Sequence, residues 1–108
     1  MSATPPVIER YFRAADEQDF ATLAECFTED GVAHDEGETH VGHAAIRRWR
    51  EAVAARFTYT TVITGAQHVG PDRFDVDIHI AGDFPGGEAD LTQAFTLRDG
   101  LIERVAIA

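Results

Sequence analysis

The second half of the chain repeats with a period of two residues, and this repeat restricts the fold more than any other feature. Between residues 74 and 80, apolar side chains alternate with polar ones, as in a strand with one buried and one solvated face. The apolar members are Phe74, Val76, Ile78 and Ile80. Turn-forming residues divide the segment, which predicts four strands, at about 59–69, 74–80, 89–98 and 101–107.

The first half of the chain repeats with the period of a helix instead. Apolar residues recur at helical spacing from Val7 to Ala15, which predicts a first helix with Thr4 as its N-cap and an end near residue 18. A short second helix is predicted to follow a cap at Asp19 and to reach residue 27, and a longer third helix is predicted at about 42–57. Between the second and third helices we expect a turn at Asp30-Gly31, a strand at 32–35 and a loop at 36–41.

This order of elements predicts one α+β domain spanning residues 1–108. Strands joined by hairpins form an antiparallel meander, and helices that come early in the chain must cover one face of it. We therefore expect a curved antiparallel sheet packed against three N-terminal helices.

The charge of the chain excludes some partners. Nineteen Asp and Glu residues against nine Lys and Arg give a net charge of −10, whereas nucleic acids and anionic membranes need a positive surface. The single cysteine, Cys26, cannot form an internal disulfide, and the chain opens with no charged-then-apolar leader. No apolar run approaches the length of a membrane span. A cytoplasmic protein is therefore predicted.

Three polar side chains stand out as candidates for chemistry. Asp35 ends the short strand and would serve as a general base if apolar surroundings raised its pKa, but it would otherwise be an exposed carboxylate. Gln93 is the one polar member of an apolar strand face, so it either bonds to a group in the core or lines a ligand pocket. Tyr11 lies on the apolar face of the first helix, where it either donates to an oxyanion or simply packs.

A metal site is not predicted, although His34, His40 and His43 lie close in sequence to several acids. Their spacing matches no standard zinc signature, so an adventitious surface site is favoured over a designed one. Phosphate-binding glycine loops and nucleophile elbows are also absent from the sequence, which argues against kinases, dinucleotide enzymes and serine hydrolases.

The residue pattern resembles the nuclear transport factor two-like superfamily, within it the SnoaL-like polyketide cyclase and ketosteroid isomerase branch. The residues that carry the resemblance are Ile8, Tyr11, Ala15, Asp19, Leu23, Phe27, Asp30-Gly31-Val32, Asp35, Gly42 and Ala45-Ile46-Arg47. The resemblance implies a cone-shaped fold around an apolar pocket, often in homodimers that pack through the sheet. It also implies that Asp35 shuttles a proton and that Tyr11 donates to an oxyanion, while Gln93 replaces a protonated aspartic acid of the isomerases.

Two functions are then expected for such a domain. In the first, Asp35 moves a proton α to a carbonyl of a small hydrophobic molecule while Tyr11 and Gln93 stabilise the oxyanion, with no cofactor. In the second, the same pocket binds a ligand without chemistry. Ligand contacts are predicted from Phe12, Trp49, Phe95 and Val76. Epoxide hydrolysis, known in some relatives, ranks last because no arginine is identified as a partner of Asp35.

Overall fold

The computed structural model describes residues 4–108, which form three helices and six strands. In chain order these are α1 (Pro6–Asp16), α2 (Phe20–Glu25), β1 (Phe27–Asp35), β2 (Glu38–Val41), α3 (His43–Arg56), β3 (Tyr59–Gly70), β4 (Arg73–Gly82), β5 (Glu88–Arg98) and β6 (Leu101–Ile107). The predicted α+β class is confirmed. None of the helices within the described range is both long and apolar enough to cross a membrane.

All six strands belong to one curved sheet with the order β2-β1-β6-β5-β4-β3. The predicted meander of β3 to β6 is antiparallel throughout, as its short connections require. The sheet as a whole is mixed, because β1 pairs with β6 in parallel. A fully antiparallel sheet was therefore the wrong expectation: no hairpin joins β1 to β6, so the sequence pattern carries no signal for their relative direction.

The segment around β1 differs most from the prediction. Strand β1 begins at Phe27, and the expected turn at Asp30-Gly31 is instead an irregularity in its register with β6. The expected loop contains strand β2, which a two-residue turn at Glu36-Gly37 joins to β1. Both turn residues have positive φ, 51° and 78°, and this backbone twist suits a tight hairpin.

The helix ends follow ordinary capping chemistry, with one difference from the prediction. The Asp19 side chain accepts a hydrogen bond from the backbone N–H of Thr22, so it caps α2 as expected. At α1 the N-cap position belongs to Pro5 and not to Thr4, and Pro6 occupies the first helical turn, where a missing N–H costs nothing.

The hydrophobic core lies between the three helices and the concave face of the sheet. Tyr11 of α1 makes edge-to-face contacts with Phe27 of β1 and Phe95 of β5, at centroid distances of 6.0 Å and 5.3 Å. Further fully buried residues, from all three helices and the central strands, are Ile8, Leu23, Ile46, Val76, Ile102 and Val105.

Strand β3 forms one edge of the sheet and is its longest strand. Val62, Ile63 and Val69 are exposed on it, and its register with β4 shifts between Ile63 and Gly65. This shift is a β-bulge, which bends the strand and interrupts the regular ladder.

Gly82 at the end of β4 provides a test of the packing that positions Tyr59. A Cβ atom at Gly82 would overlap the carbonyl oxygen of Thr58 and lie 2.5 Å from the Cβ of Tyr59. We expect Gly82→Ala to lower the free energy of unfolding by about 1–3 kcal/mol, because neither neighbour is the flexible end of a side chain. Urea denaturation followed by circular dichroism measures this change.

Gly70→Ala is the matched control, since its Cβ would meet no atom closer than 3.5 Å, in Arg73. Equal stabilities of the two variants would contradict the assigned close approach at Gly82.

Candidate functional site

A cavity of about 420 Å³ opens between α1, α3 and the concave face of the sheet. Its walls are mostly apolar, with Phe12, Ala15, Val53, Phe57, Ile78, Ile80, Leu91 and Ile107 among the lining residues. The polar and charged side chains in the lining are Tyr11, Asp35, Glu36, Arg50, Arg56, Tyr59, Thr61 and Gln93. Apolar walls with a few polar groups are typical of small-molecule sites.

Asp35 is held by α3 as well as by its own strand. The indole N–H of Trp49 donates to Asp35 Oδ2 at 3.2 Å. Trp49 is only 5% exposed, and its ring stacks on His40, with centroids 5.5 Å apart. A hydrogen bond from a buried, stacked indole fixes one carboxylate oxygen, which leaves Oδ1 as the oxygen available to a ligand.

Tyr11 presents an un-ionised phenol to the cavity. Burial raises its pKa to about 12, and the neighbouring Tyr59 and Asp35 raise it too, whereas the positive charge of Arg50 lowers it. The hydroxyl forms no hydrogen bond with any residue of the described chain. Tyr11 can therefore donate a hydrogen bond to a ligand without losing its proton near neutral pH.

Gln93 lies on β5 and is only 6% exposed, yet its side chain has no hydrogen-bond partner among residues 4–108. It lies opposite Val76 of β4 and Ile107 of β6, on the face of the sheet that borders the cavity. The sequence left two roles open for Gln93, a hydrogen bond to a group in the core or a place in the lining of a ligand pocket. No described residue bonds to its amide, so the first role does not apply. The amide is available to a ligand.

Arg50 is the residue that the sequence interpretation missed. The sequence pattern alone did not select it as a site residue, but it lines the cavity, and its Nη2 donates to the Tyr59 hydroxyl at 3.0 Å. Its position four residues after Ile46 and three before Val53 places it on their helix face, and a helical projection would have shown this.

The charge of Arg50 is not neutralised by an ion pair. Within the described residues no carboxylate pairs with it, and its Nε is buried without a partner. Burial lowers the pKa of the guanidinium, but Tyr11, Tyr59 and Asp35 raise it by more, so the net shift is upward and Arg50 remains a cation.

Arg50 also corrects the premise on which epoxide hydrolysis was ranked last. The cavity does contain an arginine together with Asp35. The Asp–Arg–Asp arrangement is nevertheless incomplete, because among residues 4–108 Asp35 is the only aspartate that lines the cavity.

The predicted ligand contacts divide into two groups. Phe12 lines the cavity, whereas Trp49, Phe95 and Val76 do not. Phe95 and Val76 are fully buried in the core, and Trp49 is turned toward Asp35 and His40. Their positions do not support direct contact with a ligand, because alternation along a strand does not show how deep in the core a residue lies.

The three histidines near Asp35 point to separate partners. His34 Nδ1 lies 2.8 Å from the Thr39 hydroxyl, His43 Nε2 donates to the Phe27 carbonyl oxygen at 2.8 Å, and His40 stacks on Trp49. No group of three or more His, Cys, Asp or Glu side chains within residues 4–108 is arranged to hold a metal ion.

The raised pKa of Tyr11 predicts a loss of stability at high pH. Unfolded Tyr11 loses its proton near its ordinary value of 10.0, whereas the folded protein keeps it up to about 12. The unfolded state then binds fewer protons, so the free energy of unfolding falls as the pH rises from about 10 to about 12, by at most about 2–3 kcal/mol. In the variant Tyr11→Phe, the decrease in the free energy of unfolding that comes from Tyr11 deprotonation is absent.

Urea denaturation at several pH values between 9 and 11.5 (roughly the range of ordinary tyrosine titration) compares the two proteins. The difference in absorbance at 295 nm between them reports the titration of Tyr11 alone. Parallel losses of stability in both would show that Tyr11 titrates normally.

Comparisons with known proteins identify the family. The model of the SnoaL-like domain family matches residues 8–105. A search of curated proteins found no match.

Solved structures share the fold over nearly the whole chain. A candidate polyketide cyclase, SMa1630 from Sinorhizobium meliloti, is 35% identical with a TM-score of 0.93, over 97% of this chain and 95% of that chain. A protein of ketosteroid isomerase-like fold from Catenulispora acidiphila, solved with trimethylamine, is 19% identical with a TM-score of 0.88, over 98% and 86% of the two chains. RV0760c from Mycobacterium tuberculosis, solved with estradiol-17beta-hemisuccinate, is 16% identical with a TM-score of 0.78, over 94% and 88%.

These matches confirm the resemblance to the nuclear transport factor two-like superfamily and to its polyketide cyclase and ketosteroid isomerase branch. The chain belongs to the SnoaL-like domain family.

Proposed function

We propose that the protein catalyses proton transfer α to a carbonyl group of a small, mostly apolar molecule, as in an isomerase, cyclase or dehydratase reaction. The observation that supports this proposal is that one apolar cavity contains a carboxylate, Asp35, together with three hydrogen-bond donors. The donors are Tyr11, Arg50 and Gln93.

Asp35 is the general base in this proposal. Its Oδ1 takes the proton from the carbon next to the carbonyl, while the Trp49 N–H holds Oδ2 and fixes the direction of the carboxylate. The electron pair left on the carbon moves to the carbonyl oxygen, which becomes an enolate oxygen. In an isomerisation the proton then returns to another carbon. In a cyclisation the enolate carbon attacks a second carbonyl carbon of the same molecule, whose π electrons move to its oxygen, and that oxygen takes the proton from Asp35. In a dehydration the β-hydroxyl leaves with this proton as water.

The donors stabilise the negative charge that develops on the oxygen. Tyr11 keeps its proton because burial raises its pKa to about 12, so it donates without becoming an anion itself. Arg50 adds a positive charge in surroundings of low dielectric constant, where such a charge acts more strongly than in water. The Gln93 amide has no partner among the described residues; its buried unpaired atom is the acceptor Oε1, and the donor to the enolate oxygen is an N–H of the same amide.

The similarity to the candidate polyketide cyclase of Sinorhizobium meliloti supports this choice of reaction class. At 35% identity over nearly the full length of both chains, the two proteins share more than the fold that the distant structures share. Ligand binding without chemistry is the second candidate, because the same apolar walls and unpartnered donors would also suit a binding protein.

We also propose a homodimer that packs through the outer face of the sheet. This face carries Asp77 and Asp90, whose charges would oppose such packing, but Thr92 donates to Asp77 and His79 lies 2.8 Å from Asp90. Hydrogen bonds with Asp90 and Glu88 raise the pKa of His79, which favours the positively charged form of its ring. Arg98 pairs with Asp30 and Glu103, so its charge is engaged away from these aspartates.

Hydrogen–deuterium exchange tests the catalytic proposal. The protein is incubated in heavy water with cyclic enones and β-dicarbonyl compounds, and loss of the α-proton is followed by NMR. We expect Asp35→Asn to slow exchange by about 10²–10⁴-fold, because the variant keeps the shape of the side chain and removes the base.

The control variant is Asp72→Asn, which changes an exposed carboxylate in the turn between β3 and β4 and should leave exchange unchanged. Compounds that bind to the wild type without any enzyme-dependent exchange would favour the binding role instead.

Light scattering at micromolar concentration tests the dimer. We expect twice the mass of one chain, and a monomer mass would exclude packing through the sheet at that concentration.

A further inference from the structure

The charge of Arg50 bears on the charge of the ligand, which the proposed reaction alone does not define. Burying a cation without a counter-ion is much more costly than burying a paired one. Within residues 4–108, Arg50 nevertheless donates only to a neutral phenol, that of Tyr59, and its Nε is buried without a partner. Apart from the indole ring of Trp49, whose centroid lies 5.1 Å from the guanidinium carbon, no described side chain pairs with this charge beside the open cavity.

The acids of the cavity do not supply the missing partner. Asp35 and Glu36 line the cavity, but neither forms an ion pair with Arg50. Asp35 instead accepts its hydrogen bond from Trp49, although its charge still acts on Arg50 at longer range. A ligand that enters the cavity is therefore the group best placed to pair with the guanidinium.

Two further donors border the same space. The Tyr11 hydroxyl and the Gln93 amide have no partners among the described residues, and both side chains line the cavity. The buried unpaired atom of Gln93 is the acceptor Oε1, and its donors are the N–H groups of the same amide. Gln93 is on β5, whereas Tyr11 and Arg50 lie on two helices, so the three groups approach the cavity from different walls. Unused donors around a fixed cation are suited to an oxyanion, which has several lone pairs to share.

We infer that the cavity takes an organic anion, a compact apolar molecule that carries a carboxylate, with its charged oxygen bound by Arg50. This inference rests on the site of the proposed function, and it adds that the substrate is already charged when it binds. The chain has a net charge of −10, whose overall field disfavours anions, so selection of an anion depends on the local charges of the lining arginines, the half-buried Arg50 and the exposed Arg56.

Paired probes that differ in charge but hardly in shape test the inference. Benzoate is compared with benzamide, and 2-naphthoate with 2-naphthamide, by isothermal titration calorimetry. We expect at least one carboxylate to bind to the wild type about tenfold or more tightly than its amide, as hydrogen bonds to a charged group allow. Equal affinities within both pairs, or no binding of any of the four compounds, would overturn the inference.

Variants on α3 assign the preference to Arg50. In Arg50→Gln the ratio of the two affinities should fall to near one, and in Arg50→Lys, which keeps the charge, most of the ratio should remain. Arg48→Gln is the matched control, because it removes an exposed arginine of the same helix and should keep the full ratio. A preference for carboxylates that persists in folded Arg50→Gln would overturn the assignment.

The outcome is separable from that of the proposed reaction, since binding is measured without any proton transfer. Preference for anions without deuterium exchange would support this inference and contradict the catalysis. Deuterium exchange of neutral ketones without a preference for anions would support the catalysis and contradict this inference.

Discussion

The parallel pairing of β1 with β6 is the constraint on which the rest of the structure depends. It attaches the helical first half of the chain to the meander of the second half, and both halves then share one core. His34 lies opposite Ala106 of β6, and Gln93 lies opposite Ile107 from the other side. The end of β1 is thus separated from Gln93 by a single strand, and a carboxylate from one half of the chain lines the same cavity as an amide from the other half.

Helix α3 then sets both the direction of the carboxylate and the charge of the cavity. Trp49 and Arg50 are adjacent in α3 and make different hydrogen bonds. The indole N–H donates to Asp35, and the guanidinium donates to Tyr59 and lies 5.1 Å from the indole ring centroid.

Much of this arrangement can be read from the sequence, and what cannot be read has identifiable physical causes. Period-two alternation predicts β4 because that strand is buried on one face only, and the isolated position of Gln93 on an apolar face correctly singles it out. The hairpin between β1 and β2 escapes notice because its two turn residues are Glu36 and Gly37, and Asn or Asp is commoner before the glycine. Arg50 escapes notice because a charged residue on a helix is usually solvated.

The bulge in β3 has a consequence for how the protein behaves in a crowded solution. An edge strand of this length offers unpaired backbone donors and acceptors to any other chain. Burial of the exposed side chains of Val62, Ile63 and Val69 would stabilise such a contact. A bulge near Thr64 breaks the even spacing of those groups, so a straight incoming strand cannot match more than a short part of the edge. The irregularity thereby protects the sheet from growing by a seventh strand.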